Sequence, residues 1–331
     1  PYGRSFCGSL NVDVNCSDLW LLVMPNDRLH NQFDMTTTTL ITRVFLGWDR
    51  PLLETAVSWL IARYGSASEL DLGRVSVVVP RKRVKRRLLE MLGQSAESAN
   101  IRLVPPLIET LGALPETLYP LQKPLANDLV QQLTWAKVLR EMDRSVLGRV
   151  VPQPPAKEDA LAWWSLGSVI WKEHCELAED DCNFESVLKC GRSMPGFSED
   201  ARWNALVRLQ ESYHRTMDGL ELWDVQTARL EAIKRREPQT DRDLILLGTA
   251  DMNQVTRGVL DLVADRVTAL IAAPEERASW FDAHGCLVPA MWADAPIDVP
   301  AEQIRLCEGP ADQASQVARE LAALGGRYRT D

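Results

Sequence analysis

Three groups of residues in this 331-residue chain have types and spacings that could do chemistry. The first is Arg81-Lys82-Arg83-Val84-Lys85-Arg86-Arg87, six cations in seven positions. Val84, Leu88, Met91 and Leu92 recur at helical spacing, which buries one face and leaves the cations around the remaining surface. A helix start of this kind can grip phosphates, and each neutralised phosphate adds salt-dependent, sequence-independent affinity for nucleic acid. The competing expectations are a solvated helix surface or a seat for an acidic partner surface. The second group is Gly47-Trp48-Asp49-Arg50, a turn between the apolar run ending at Leu46 and a helical pattern over residues 51–64. A phosphate-binding loop at such a junction needs several glycines so that backbone N–H groups can surround the phosphates, a lysine for their charge and a hydroxyl for magnesium. This turn has one glycine, no lysine and no hydroxyl, and Asp49 repels phosphate. The third is Thr249-Ala250-Asp251, closing the apolar run Leu244 to Leu247. Nucleotide hydrolysis calls there for two adjacent carboxylates, one for the metal and one to polarise water. A single Asp251 reads as a degenerate remnant, with capping of the following helix as its expected role.

Other chemistries find no support. A metal-dependent nuclease site needs paired carboxylates and a lysine two residues after the second. None of the eight lysines (82, 85, 123, 137, 157, 172, 189, 234) has Asp, Glu or Gln two places before it. His174, Cys175, Cys182 and Cys190 do not have zinc-ligand spacing. His214 and His284 have no partner evident in sequence, and are expected to be structural. Seven scattered cysteines without a CxxC pair suit reduced thiols. No serine nucleophile motif is present.

The elements that must position these groups follow from the hydrophobic pattern. At 46% hydrophobic residues the chain can bury a large core, and a net charge of −9 argues against a protein coating nucleic acid or anionic membrane with its whole surface. Continuous apolar runs at Ile41 to Leu46, Val75 to Val79, Ile101 to Val104, Leu244 to Leu247, Val267 to Ala272 and Ile304 to Cys307 predict strands buried on both faces of a parallel sheet. Helical patterns follow most of them, at 51–64, 81–92, 254–264, 275–282 and 311–324. Between residues 107 and 238 the strand signal disappears and amphipathic runs carry Trp135, Trp163, Trp164, Trp171, Trp203, Tyr213 and Trp223, expected as core anchors. The reading is an α/β domain over 40–106 and 239–331, interrupted by an all-helical insertion over 107–238. Lys234-Arg235-Arg236 is expected to complement the end of a helix. Residues 1–34 carry no core element and are expected to be a poorly ordered or mistranslated leader, with Met35 as a natural start. No apolar run is long enough to span a bilayer.

Within this pattern, Val44-Phe-Leu-Gly-Trp-Asp-Arg-Pro-Leu-Leu53, Val75-Ser-Val-Val-Val-Pro-Arg-Lys-Arg-Val-Lys-Arg-Arg-Leu-Leu-Glu90 and Pro124-Leu-Ala-Asn-Asp128 resemble the N-terminal half of AddB-type subunits of bacterial AddAB helicase-nucleases. Arg202-Trp203, Tyr213, the segment Gly219 to Leu230 with Asp224 and Arg229, Pro274-Glu-Glu276, Phe281-Asp282 and Trp292-Ala-Asp294 continue the likeness in the same order over roughly 40–331. The resemblance implies a P-loop/RecA-like motor domain with a degenerate nucleotide site, interrupted by a helical insertion. It further implies a longer parent that ends in a nuclease domain, cytoplasmic in bacteria, acting in double-strand break processing and recombinational repair. Its partners would be an AddA-type motor subunit and DNA, as a single strand or duplex end. Magnesium and an iron–sulfur cluster would belong to that nuclease domain, with no cofactor in this portion. The alternative from the residues alone is an α/β enzyme that binds a nucleotide or nucleotide-sugar in its sheet crevice without a phosphate loop.

Overall fold

The computed structural model describes residues 41–296, 299–300, 303–323 and 325. The expected leader lies outside them. Two compact units divide the chain, one up to Leu287 and one from Val288 onward.

The first unit is built on a five-stranded, wholly parallel sheet. Its strands are β1 (Thr42–Phe45), β3 (Val75–Val79), β5 (Leu107–Thr110), β6 (Asp243–Leu247) and β7 (Val267–Ile271), in the spatial order β1-β7-β6-β3-β5. Register aligns Thr42 with Thr268, Leu244 with Val267, Val75 with Asp243 and Ser76 with Leu107. All five residues of β3 are buried, as are four of β6, because helices cover both faces. On one face, Ala56, Val57 and Leu60 of α1 (Leu52–Tyr64) and Leu88 and Leu92 of α2 (Lys82–Ala99) pack with Val75, Val77, Val79, Ile245, Leu247 and Leu270 in one core. The chain moves from β1 to β3 and then β5 in one direction across the sheet, and returns through β6 and β7 in the other. Right-handed crossovers therefore place α1 and α2 on one face and α9 (Gln254–Asp261), which joins β6 to β7, on the other.

The third strand differs from the expectation. The run Ile101 to Val104 does not enter the main sheet. As β4 (Arg102–Val104) it pairs with β2 (Glu69–Asp71) in a separate two-stranded parallel sheet, and Leu107–Thr110, beyond Pro105 and Pro106, takes the edge of the main sheet instead. Both runs are short and apolar, so periodicity alone could not choose between them. The segment expected to be all-helical thus begins with a strand.

Between β5 and β6 lie six α-helices: α3 (Asp128–Glu141), α4 (Arg144–Val150), α5 (Ala160–Glu179), α6 (Phe184–Arg192), α7 (Asp200–Gly219) and α8 (Val225–Lys234). Local capping starts most of them: Asn127, Asp143, Asp159, Asn183 and Asp224 each accept a hydrogen bond from a backbone N–H in the first turn. Their core centres on Trp135, stacked on Tyr213 with ring centroids 4.2 Å apart and planes 8° from parallel, with Phe184, Leu139 and Leu209 around the pair. Trp135 and Trp163 are the buried anchors expected, while Trp164 is exposed on α5. The block is tied to the sheet through α8, where Arg229 donates to both carboxylate oxygens of Glu116, at 2.6 and 2.9 Å, and to the Gly112 carbonyl at 2.8 Å.

In the second unit, α10 (Pro289–Trp292) and α11 (Pro310–Ala323) are helical. Ile304 to Cys307, expected as a sixth strand, has no strand pairing and is exposed, Leu306 to 96%. The 275–282 helical expectation resolves as a 3-10 turn over Glu275–Trp280. Among the described residues, no helix is long and apolar enough to cross a membrane.

Candidate nucleic-acid interface

Because every strand of the main sheet runs the same way, the carboxyl ends of β1, β3 and β6 lie along one edge. The three sequence-derived groups follow those strands, so the fold sets all of them on that edge. Ligands of open α/β sheets bind along this edge, where adjacent strands send their connections to opposite faces; here that reversal falls between β3 and β6.

The loop after β1 is closed by its own contacts. Gly47 has φ +75°, the left-handed region, and its N–H donates to the Ala273 carbonyl at 3.0 Å. Trp48 donates through Nε1 to the Ala272 carbonyl at 2.6 Å, which clamps the indole against the end of β7. Asp49 and Arg50 are exposed, and Arg50 pairs with Glu54 one turn into α1 at 3.5 Å. Pro51 precedes α1 without a capping side chain. Leu52, the first helical residue, lies against the loop after β6: a Cβ at Gly248 would come within 2.7 Å of Leu52 Cδ2, and Gly248 itself has φ +63°. An apolar side chain thus sits between the two loops that in a nucleotide-hydrolysing site would face each other across phosphates.

After β6, Thr249 is buried and Asp251 is exposed. Asp251 does not cap α9 as expected. Among the described residues its carboxylate accepts from the N–H of the adjacent Met252 at 2.8 Å, and Asn253 takes the cap, accepting from Thr256 N–H at 2.9 Å. Asn serves an N-cap as well as Asp does, and it stands one position before the first helical residue.

The cationic group opens α2. Arg81 is its N-cap residue without a side-chain capping bond, and the first turn contains no acidic residue. That arrangement sets Lys82, Arg83 and Lys85 at the positive end of the helix dipole, where anions are favoured and cations disfavoured. Farther along, Lys85 reaches Glu109 on β5 at 4.0 Å, Arg86 pairs with Glu90 at 3.5 Å, and Arg87 with the same Glu90 at 3.4 Å. Arg81, Lys82 and Arg83 are exposed. The six cations therefore divide in two: one half sits at an uncapped helix start, the other leans on two acids.

A cluster that sequence reasoning missed lies beside the β6 loop. His284 has partners after all: Nε2 is 2.9 Å from Asp261 on α9, and Nδ1 is 3.3 Å from Arg257. A guanidinium can only donate, so Nδ1 accepts and Nε2 carries the proton directed at Asp261. Arg257 also pairs with Asp282 and donates to the Met252 carbonyl at 3.0 Å. Asp282, two residues before His284, accepts from the backbone N–H groups of His284 and Cys286. Only this last spacing was visible in the sequence; Arg257 and Asp261 arrive through the fold. Cys286 completes the group, but burial pushes its thiol up to about 12, with Asp282 and Asp251 adding to the shift against Arg257. It is a protonated thiol, not a nucleophile. The cluster holds the hairpin around Gly285 to α9.

Within the helical block, Asp224 is 1% exposed. It accepts from Thr227 N–H at 2.6 Å and Tyr213 hydroxyl at 3.1 Å, with His174 Nε2 at 3.7 Å. Burial pushes its carboxyl up, yet His174, the Thr227 N–H and His214 outweigh that and hold it at about 2. Burial lowers His214, and His174 beside it lowers it further. Tyr213, Asp224 and Arg229 are thus internal fastenings. Lys234 and Arg235 meet Glu231 at 3.1 and 3.3 Å at the end of α8. Among the described residues no group of three or more His, Cys, Asp or Glu is placed to hold a metal ion. No family model matches the chain, and a search of the curated proteins finds no match.

Proposed function

We propose that this chain is a catalytically silent, helicase-like portion of an AddB-type subunit, contributing DNA and partner-subunit binding to the processing of double-strand breaks in the bacterial cytoplasm. The observation that carries the proposal is the start of α2: three exposed cations on an uncapped helix N-terminus, on the ligand-binding edge of a parallel sheet. Two features support the silent half. Leu52 lies against Gly248 where a triphosphate would need room, and Asp251 stands as a single carboxylate where hydrolysis needs two. The topology agrees with a motor-type ancestry, since β7 lies between the strand carrying the degenerate phosphate loop and the strand carrying Asp251. In this reading ATP-driven translocation belongs to the AddA-type partner.

The test is a salt titration of single-stranded DNA binding. Affinity falls with log salt at a slope of roughly −0.7 per neutralised phosphate for single strands, so replacing Arg81, Lys82 and Arg83 together with Ala reduces the slope by about 2 and weakens binding to all sequences alike. An unchanged slope removes the DNA role from α2 and leaves the acidic partner surface as its ligand. Turnover of ATP stimulated by oligonucleotides overturns the silent reading, as does tight mononucleotide binding at Gly47 and Gly248, the outcome expected of a crevice enzyme.

A further inference from the structure

The edge that carries the cations also carries an aromatic surface that the interface above does not use. Trp48 is 55% exposed, although its Nε1 is fixed by the Ala272 carbonyl at 2.6 Å. Arg277, from the turn after β7, sets its guanidinium carbon 5.8 Å from the Trp48 ring centroid and 3.9 Å from that of Trp280. That turn is held in place from β1, where Arg43 donates to the Ala278 and Phe281 carbonyls at 3.1 and 3.0 Å and Phe45 packs edge-on to Phe281 with ring centroids 6.0 Å apart. The indole therefore has a fixed orientation and an open face. Hydrogen bonding explains where Trp48 is anchored, but not why so large a ring is left in water.

We infer that Trp48, backed by Arg277 and Trp280, is a stacking platform for an unpaired nucleobase, which makes the ligand of this edge a single strand and not a duplex. The inference rests on the DNA-binding reading of α2 and deepens it. Any base offers a π-face, so a platform of this kind tolerates sequence, and a neighbouring guanidinium adds to the attraction. Duplex DNA has no free π-face except at its ends. From β1 to β3 the sheet takes three interstrand steps, through β7 and β6, or roughly 14 Å at ~4.8 Å each. A single strand lying along the edge spans that distance with a few nucleotides. The two ends of the edge then divide the strand between them: the exposed indole takes a base, and the start of α2 takes the phosphates.

The experiment compares the full chain with its Trp48→Ala and Trp48→Phe variants. Fluorescence anisotropy reads the binding of an oligothymidylate and of an abasic strand of equal length, which keeps the phosphates and lacks the bases. The expected result is that the unaltered chain prefers the base-bearing strand by about 5- to 150-fold for one stacked base. Trp48→Ala abolishes the preference with abasic affinity unchanged, and Trp48→Phe restores part of it. Equal affinity of the unaltered chain for the two strands overturns the platform while the cation reading stands, and needs no variant. A full preference in Trp48→Ala overturns it as well. Failure to bind either strand overturns the reading on which it rests.

Discussion

The helical block and the carboxyl edge of the sheet handle charge in opposite ways. In the block, Asp224 is surrounded by Thr227, Tyr213 and His174, and Arg229 is spent on Glu116 and the Gly112 carbonyl, so buried charges find their partners inside the protein. Along the edge, Arg81, Lys82 and Arg83 stand exposed at a helix end whose dipole repels them. Internal pairing of this kind specifies one packing of the helices. A cluster that the fold itself disfavours points instead to a ligand supplied from outside. The contrast also separates two sets of residues: Tyr213, Asp224 and Arg229 in the block hold the fold, while Arg81, Lys82 and Arg83 at the start of α2 face solvent.

The contrast can be broken from either side. Asp224→Ala has the largest expected effect, a loss of about 3–5 kcal/mol in urea unfolding, because it strips the cap of α8 and leaves the Tyr213 hydroxyl without its acceptor. The same carboxylate sets a pH dependence. Its folded value is depressed to about 2, so the stability it contributes is present above the ordinary carboxylate range and is lost as pH falls from about 4 towards 2. Asp224→Asn flattens that limb of an acid titration; an unchanged limb would show that Asp224 is not the group responsible. Gly248→Ala comes next, at about 1–3 kcal/mol, since it strains a left-handed backbone and drives a methyl into Leu52. Pairing it with Leu52→Ala recovers part of the loss if the two side chains compete for one space. The smallest effect belongs to the triple replacement of Arg81, Lys82 and Arg83 with Ala. Its unfolding free energy stays level or rises by up to about 1 kcal/mol, because cations leave the positive end of a dipole. A loss of more than that would make those side chains part of the fold, and the contrast would fail.

Much of this edge was legible in the sequence. Gly47, Thr249 and the cations of α2 are local signals, since each closely follows an apolar run that became a strand. The partition between β4 and β5 was not legible, because two short apolar segments flank Pro105-Pro106 and only the space beside β3 decides which joins the main sheet. Ile304 to Cys307 has the apolar content of a strand and none of its pairing, which composition cannot foresee. The His284 cluster was missed for another reason. Arg257 and Asp261 are a helix and a strand away in sequence, and only the approach of α9 to the hairpin brings them to the imidazole. The start of α9 at residue 254 was legible, but its cap was assigned to Asp251 when Asn253, directly before the first helical residue, holds it.

The Leu52 and Gly248 contact makes this crevice hard to open. Grafting a lysine into the turn at Trp48 would supply a charge with little room to serve, since Leu52 Cδ2 already lies within 2.7 Å of where a Cβ on Gly248 would stand. Making room there means moving the front of α1 away from the loop after β6, a rearrangement of scaffold that no single codon change provides.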